Sequence, residues 1–253
     1  MQLHTLNGYI QNIYLAQHPE GLMLLDGCSR ADVPMVRRFI TQTLGLSLQD
    51  LKVIVVTHMH PDHAGGAHLL RRLSGCKIYS HPKAPNWYRG IAGRTAHLVD
   101  LSLALWVAGR LNKPRKNIWY SAVLKSDEFI QDGAQVPEFP EWQVLYTPGH
   151  TDHDLSIWHA QQRKVYIADL IVRVKNRYVP PYPVCHPNQY RRSLIRVAEL
   201  PDATLYFAHA APEHLDSDAF AKIQALAPRL PKNTWRTTKS RIYRALRLPY
   251  SST

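Results

Sequence analysis

Short apolar runs separated by turn residues recur along the chain and predict strands that alternate with helices. The segment 53–56 is an unbroken run of Val and Ile, which is typical of a strand buried on both faces. Further strands are predicted at 12–16, 21–27, 143–147, 155–159, 164–169 and 203–208. Apolar residues at helical spacing predict helices at 32–44, 63–73, 187–200 and 216–227. This order of elements indicates an α/β or α+β protein.

Four side chains of the metal-ligand type follow directly after the buried run, namely His58, His60, Asp62 and His63. Imidazole nitrogen and carboxylate oxygen bind zinc, and a set without thiolates favours a catalytic site with an open position over a closed structural one. His58 and His60 are two residues apart, so in extended chain they point the same way and can bind one ion. Asp62 and His63 come after the turn, where they can face a second ion.

The pattern His58-x-His60-x-Asp62-His63 resembles the signature of the metallo-β-lactamase superfamily. The resemblance implies further ligands at later strand ends, and three candidates follow in order: His150, Asp169 and His209. It extends over roughly residues 8–228 and implies an α+β protein with an αββα four-layer sandwich (metallo-β-lactamase fold).

The resemblance also implies the role of each ligand. His58, His60 and His150 would hold one divalent ion, and Asp62, His63 and His209 a second one, with Asp169 as the bridge. Zinc is the first choice for both ions, and manganese and iron are the alternatives. A hydroxide that bridges two such ions is a nucleophile near neutral pH. Asp62 is the candidate catalytic residue, as a proton shuttle to the leaving group.

Asp26 stands where the family has an aspartate that supports the metal site from outside the ligand set. A plain hairpin that ends in Asp26-Gly27 explains the same residues nearly as well. His153, His159, His186 and His214 are expected to support the site or to lie at the surface rather than to bind metal.

The substrate class is less clearly indicated. A bridging Asp169 together with His63 argues against true β-lactamases and favours the glyoxalase II-like, lactonase-like and phosphodiesterase-like branches. The sequence therefore predicts a hydrolase acting on an ester, thioester or lactone. A phosphodiesterase acting on nucleotides or nucleic acid is the alternative, and a non-hydrolytic binding module is disfavoured by the intact ligand set.

Composition agrees with a single globular hydrolase domain over residues 1–228. The chain has 253 residues, of which 45% are hydrophobic, and a formal net charge of +12, which favours an anionic or acyl-bearing small-molecule substrate. Three widely spaced cysteines are expected to be ordinary thiols. The N-terminus has no secretory signal and no apolar run reaches the roughly 18 residues of a membrane span, so we expect a cytoplasmic protein.

Two segments stand outside this plan. Residues 85–125 predict a helical insertion, formed by one long or two short helices, that acts either as a packing or homo-oligomer contact or as a lid that covers an acyl group. Residues 229–253 contain seven Lys and Arg and no Asp or Glu, interleaved with apolar residues. They predict a basic amphipathic tail, either a solvated helix or a segment attracted to a membrane surface, nucleic acid or an anionic substrate.

Overall fold

A six-stranded sheet forms the N-terminal half of the computed structural model, which describes residues 1–232. Its strands lie in the order β1 to β6, with the first three antiparallel and β3 to β6 parallel. Their bounds are β1 Gln2–Asn7, β2 Asn12–His18, β3 Gly21–Leu24, β4 Leu51–Val56, β5 Lys77–Ser80 and β6 Glu128–Phe129.

A five-stranded sheet forms the second half, in the order β13-β10-β9-β8-β7. Its bounds are β7 Gln135–Val136, β8 Phe139–Tyr146, β9 Leu155–His159, β10 Lys164–Tyr166 and β13 Thr204–Tyr206. β10 and β13 pair in parallel and the other pairs are antiparallel. β11 Val172–Val174 and β12 Arg177–Val179 form a separate hairpin.

Helices cover the outer face of each sheet. They are α1 Val33–Arg38, continued by a π-helical turn at Phe39–Thr43, α2 Pro61–Ala64, α3 Ala67–Ser74, α4 Gly90–Arg110, α5 Pro187–Ala198 and α6 Ser217–Leu226. Residues of α1, α3 and α4 pack on the first sheet, and residues of α5 and α6 pack on the second. A third cluster, made of strand and loop residues, fills the space between the sheets. The predicted αββα sandwich of the α+β class is confirmed.

The run 53–56 within β4 is apolar without interruption because both of its faces are buried. Val53 and Val55 pack between the sheets, whereas Ile54 and Val56 face the helix layer of the first sheet. All four are fully buried. Each such side chain contributes about 1.5–3 kcal/mol of transfer free energy, so this strand is firmly fixed and the residues that follow it start from a rigid position.

Two predicted elements differ from their pattern, because one helix is divided and one strand ends early. The predicted helix 63–73 is divided into α2 and α3 at Gly65 and Gly66, where the backbone makes close contacts. A Cβ atom on Gly65 would lie 2.2 Å from the carbonyl oxygen of Pro61. The predicted strand 164–169 ends at Tyr166 because Ala168 has a φ of 45°, a left-handed conformation that a strand does not allow. Asp169 therefore follows a turn.

The insertion contains one long helix, α4, followed by residues 111–126 without helix or strand. On its inner side α4 buries His97, Leu101, Ala104 and Ala108, so Leu101 belongs to the core, while Trp106 is exposed. No helix among residues 1–232 has the length and apolar character needed to cross a bilayer. The predicted basic tail lies outside the described residues from position 233 onward.

Asp32, at the start of α1, is a buried carboxylate whose Oδ1 accepts a hydrogen bond from the backbone N–H of Tyr9 at 2.7 Å. Its Oδ2 makes no hydrogen bond among the described residues. Burial raises the pKa of Asp32 from 3.8 to about 6. The folded state therefore keeps this proton longer than the unfolded state does, and the stability that the proton contributes is lost as pH rises from about 4 through about 6.

Asp32→Asn should therefore raise the free energy of unfolding by about 1–2 kcal/mol near pH 8, because the neutral amide escapes the cost of a buried charge. Near pH 4, where the carboxyl is protonated, the effect should be small. Thermal denaturation at both pH values tests this, with the exposed Asp202→Asn as control. An equal change at both pH values would contradict the explanation.

Candidate metal centre

The seven predicted ligands lie at one edge of the sandwich, where strands of both sheets end. His58 and His60 follow β4, His150 follows β8, Asp169 follows β10 and His209 follows β13. Their ligand atoms fall into two groups, the first formed by His58, His60, His150 and Asp169 and the second by Asp62, His63 and His209. All are buried except Asp169 and His209, which are partly exposed.

The first group has the dimensions of a single metal site. His60 Nδ1 lies 3.1 Å from His58 Nε2 and 2.9 Å from His150 Nε2. Asp169 Oδ2 lies 3.8 Å from His58 Nε2 and 3.5 Å from His150 Nε2. Ligand atoms bound 2.0–2.2 Å from a tetrahedral ion are about 3.4 Å apart, so these atoms surround a space that one ion fits.

The second group has similar dimensions and shares Asp169. Asp62 Oδ2 lies 3.5 Å from His63 Nε2 and 3.4 Å from His209 Nε2. Asp169 Oδ1 lies 3.4 Å from His63 Nε2 and 3.2 Å from His209 Nε2. Each carboxylate oxygen of Asp169 thus faces a different group, which is the arrangement of a bridging ligand.

Two buried polar atoms of this centre lack hydrogen-bond partners in the described part of the chain, which is a further reason to expect a cation there. Within residues 1–232, His63 Nε2 and Asp169 Oδ1 are buried and make no hydrogen bond. Buried polar atoms without partners destabilise a fold, and a cation between the imidazole nitrogen and the carboxylate would satisfy both. The residues present therefore fit a bound metal.

Hydrogen bonds on the far side fix the imidazole rings. In three ligands Nδ1 donates to an oxygen that can only accept, so the lone pair of Nε2 faces the centre. The pairs are His63 with Asp26 at 2.6 Å, His150 with the Pro183 carbonyl at 2.6 Å and His209 with the Ile10 carbonyl at 2.9 Å. The rings are thus oriented for metal binding by the fold itself.

Asp26 supports both the strand end and the ligand His63. Its Oδ2 accepts from His63 Nδ1, from the Thr57 hydroxyl at 2.7 Å and from the Tyr166 hydroxyl at 2.9 Å. Its Oδ1 accepts from the backbone N–H groups of Gly27 at 2.9 Å and Thr57 at 3.2 Å. Asp26 thus accepts five hydrogen bonds at once, in the supporting position predicted for it.

Comparison with known proteins agrees with this architecture. The family model described as Metallo-beta-lactamase superfamily matches residues 6–209. The chain belongs to this superfamily. A curated relative, the probable metallo-hydrolase YflN of Bacillus subtilis (strain 168), is 23% identical over 226 residues, which cover 83% of this chain and 84% of that protein.

Solved structures share the superfamily fold. The metallo-beta-lactamase family protein TTHA1429 from Thermus thermophilus is 20% identical, with a TM-score of 0.66 over 96% of this chain and 82% of that chain. TTHA1623, solved in a di-iron-bound form, is 22% identical, with a TM-score of 0.59 over 91% of this chain and 100% of that chain. Superfamily membership and the two ligand groups identify the protein as a metallo-hydrolase.

Several residues beside the candidate metal centre hold the backbone of the predicted ligand segment in place. His153 is buried, and its Nε2 accepts the backbone N–H of Met59, between two ligands, at 3.1 Å. The Tyr120 hydroxyl donates to the carbonyl of Met59, and the side-chain amide of Gln11 donates to the carbonyl of Asp62. These contacts join residues that are far apart in sequence, so local patterns do not reveal them.

α4 contributes one more side chain beside the centre. Asp100 Oδ2 lies 3.8 Å from His60 Nε2, the ring nitrogen that faces away from the first ligand group. The same oxygen accepts from the Tyr88 hydroxyl at 2.7 Å. Burial raises the pKa of Asp100 to about 6. The insertion therefore packs directly against His60, a predicted ligand of the candidate metal centre.

Electrostatics differ between the two groups. Burial lowers the pKa values of His58 and His60 well below that of an ordinary imidazole, and neighbouring imidazoles lower them further. Because these rings are held neutral, their lone pairs are available to a cation.

In the second group, nearby carboxylates raise the histidine pKa values by more than burial lowers them. Burial by itself lowers the pKa of His63, but Asp62, Asp169 and Asp26 hold it well above its ordinary value. The pKa of His209 is raised to about 10 because Asp169 and Asp62 likewise overcome the effect of burial. Burial raises the pKa of Asp169, but the two imidazoles hold it well below its usual range. This group attracts positive charge, whether protons or a metal ion.

A cavity of about 330 Å³ opens beside His209. Residues 7–12 and 208–211 form its walls, together with Leu111 and Lys113 from the end of the insertion. A pocket of this size is typical of small-molecule sites. Its walls combine apolar surface with the cation of Lys113.

Proposed function

We propose that the protein is a dinuclear metal-dependent hydrolase that cleaves an ester, thioester or lactone in a small anionic or acyl-bearing substrate. The observation that carries this proposal is Asp169, whose two oxygens face two separate groups of ligands at 3.2–3.8 Å. A carboxylate placed in this way can hold two ions side by side.

Two divalent ions bound in these groups would supply a Lewis acid and a hydroxide nucleophile near neutral pH. Zinc is the first choice for a set of imidazoles and carboxylates, and iron is an alternative because a similar structure exists in a di-iron-bound form. The chain's own residues do the rest. His58, His60 and His150 would hold the first ion, and His63, His209 and Asp62 would hold the second.

Asp62 is the proposed proton carrier. Its Oδ2 lies between the ring nitrogens of His63 and His209, and Gln11 fixes its backbone by donating to the Asp62 carbonyl. Its pKa is lowered because His63 and His209 overcome the effect of burial, so the carboxylate is ionised. From that position it can pass a proton to the leaving group.

The cavity beside His209 supports the substrate class. Lys113 provides the cation for a carboxylate or phosphate group, and Ile10 and Leu111 provide apolar contact for an acyl portion. A phosphodiesterase is the second candidate, since Arg115 lies near Lys113 and the pair would also suit a nucleotide phosphate.

Elemental analysis of protein prepared without chelator should give close to two metal ions per chain, because seven ligand atoms form two groups. His209→Ala should reduce the content to about one ion, since it removes a ligand of the second group. His214→Ala is the matched control because His214 is exposed and hydrogen-bonds the Ala203 carbonyl instead. It should retain both ions.

The reaction class is tested on the same metal-loaded protein with chromogenic esters, thioesters and lactones and with bis-p-nitrophenyl phosphate. We expect turnover of a carboxylic ester, thioester or lactone that is abolished by chelator and restored by metal. Turnover of the phosphodiester alone would favour the second candidate. A content of one ion or none would contradict the dinuclear proposal.

A further inference from the structure

The outer face of α4 is apolar where a surface helix is normally polar. Ile91, Leu98 and Trp106 point to solvent with 90%, 52% and 61% of their surface exposed. They are seven and eight residues apart, so at 3.6 residues per turn they share one side of the helix, within an arc of about 80°. The opposite side of α4 is buried against the core, so this outer stripe has no partner within residues 1–232. A stripe of this kind marks an interaction surface.

The charges around this stripe are of one sign. Residues 89–116 contain six exposed cations and one carboxylate, Asp100, which lies on the inner side beside His60. The cations are Arg89, Arg94, Arg110, Lys113, Arg115 and Lys116. The guanidinium of Arg110 lies 5.4 Å from the ring centre of Trp106. Lys113 and Arg115 line a cleft of about 310 Å³ together with Trp106.

We infer that the outer face of α4 docks on an anionic lipid surface. In this arrangement Ile91, Leu98 and Trp106 enter the headgroup layer, and the flanking cations bind lipid phosphates. Exposed aliphatic and Trp side chains beside Lys and Arg are the features of helices that lie in the plane of a membrane interface. At about 1.5 Å per residue, the 21 residues of α4 span about 31 Å, enough to contact many headgroups.

Two other occupants fit the surface less well. A second copy of the chain in a symmetric dimer would bring the six cations of one face against those of its partner, and like charges repel. Nucleic acid would satisfy the cations through its phosphates, but it would give the aliphatic side chains of Ile91 and Leu98 no apolar contact. An anionic bilayer satisfies both the charge and the apolar stripe.

Docking through the outer face of α4 would bring the cavity beside His209 close to the lipid surface. Lys113 lines both the cleft beside Trp106 and the cavity beside His209. The two openings are therefore neighbours. A molecule that leaves the lipid surface along this face would reach the cavity beside His209.

Sedimentation of the 253-residue chain with vesicles tests the inference. The vesicles contain either phosphatidylcholine alone or phosphatidylcholine with phosphatidylglycerol. We expect binding to the anionic vesicles that weakens as salt shortens the Debye length below about 10 Å. The triple variant Arg110→Gln/Lys113→Gln/Arg115→Gln should lose affinity by about fivefold per cation removed.

The apolar stripe is tested separately. Ile91→Gln/Leu98→Gln/Trp106→Gln should lower the affinity at least about tenfold, because three apolar side chains no longer leave water. The matched control is Ile195→Gln/Leu226→Gln, which changes exposed apolar residues on α5 and α6 and should bind as the wild type does. Quenching of tryptophan fluorescence by bromine-labelled lipid, compared between wild type and Trp106→Phe, gives a second measurement that does not depend on the triple variants.

Three results would overturn the inference. Equal vesicle binding by the apolar triple variant and the wild type would place the contact elsewhere on the chain. A dimer in light scattering that the same substitutions dissociate would assign the face to a second copy. Binding to an oligonucleotide that needs the cations but not the apolar stripe, without binding to anionic vesicles, would assign it to nucleic acid.

Discussion

Replacing Asp169 by Asn should lower turnover by at least roughly 100-fold. Mutation of a residue that only supports a metal ligand lowers activity by up to about 100-fold, and Asp169 is itself a proposed ligand. The carboxylate presents one oxygen to each ligand group, at 3.5 Å from His150 Nε2 and 3.2 Å from His209 Nε2. An amide has a single acceptor oxygen, so its NH₂ end would face one of the two ions. The substitution also removes the negative charge between two cations, and at least one ion should be lost.

Turnover and elemental analysis of the same preparation test this prediction together. Asp202→Asn is the control, because it removes a carboxylate from an exposed ion pair with Arg163 far from the ligand set. It should keep normal activity and two ions. Asp169→Asn protein with wild-type turnover would show that Asp169 does not bridge, and the dinuclear mechanism would then fail.

Local sequence patterns predict the framework of this centre because its strongest signals are local. Side chains of the run 53–56 pack into apolar layers on both faces of the sheet. Its unbroken apolar sequence therefore predicts burial even when the neighbouring strands and helices are unknown. His58 and His60 then follow a rigid strand end, and their spacing determines their direction. The downstream residues His150, Asp169 and His209 also follow strands, but their local signals are weak, and it is the resemblance to the superfamily that indicates them and their order along the chain.

The surroundings of the ligands depend on contacts between distant segments. Asp26 meets Thr57, His63 and Tyr166 only after both sheets are assembled. Asp100 approaches His60 because α4 packs on the first sheet, and no periodicity in the insertion indicates this. The predicted strand 164–169 stops early for a similar reason: the turn at Ala168 is a backbone conformation, which an alternation of apolar residues does not encode.

Asp26→Asn should weaken the second metal site about 10–100-fold although the substitution preserves size and shape. Asp26 accepts from five donors, two at Oδ1 and three at Oδ2. An amide has one acceptor oxygen, so in either orientation its NH₂ group faces donors. If the NH₂ group takes the place of Oδ2, His63 Nδ1 can no longer donate. The proton of the neutral ring then moves to Nε2, the atom that should bind the metal. If it takes the place of Oδ1, the backbone N–H groups of Gly27 and Thr57 lose their acceptor.

A comparison with Asp154→Asn separates this effect from general damage to the fold. Asp154 is also a buried carboxylate, but its Oδ2 accepts from the backbone N–H groups of Gly149 and Thr151, beside the first-site ligand His150. Asp26→Asn should therefore release the second ion at lower chelator concentration and Asp154→Asn the first, because each carboxylate holds a ligand of a different group. Metal-by-metal titration with a chromogenic chelator measures the order of release. If both variants release the same ion, or release both ions together as the protein unfolds, then Asp26 acts on global stability and not through His63.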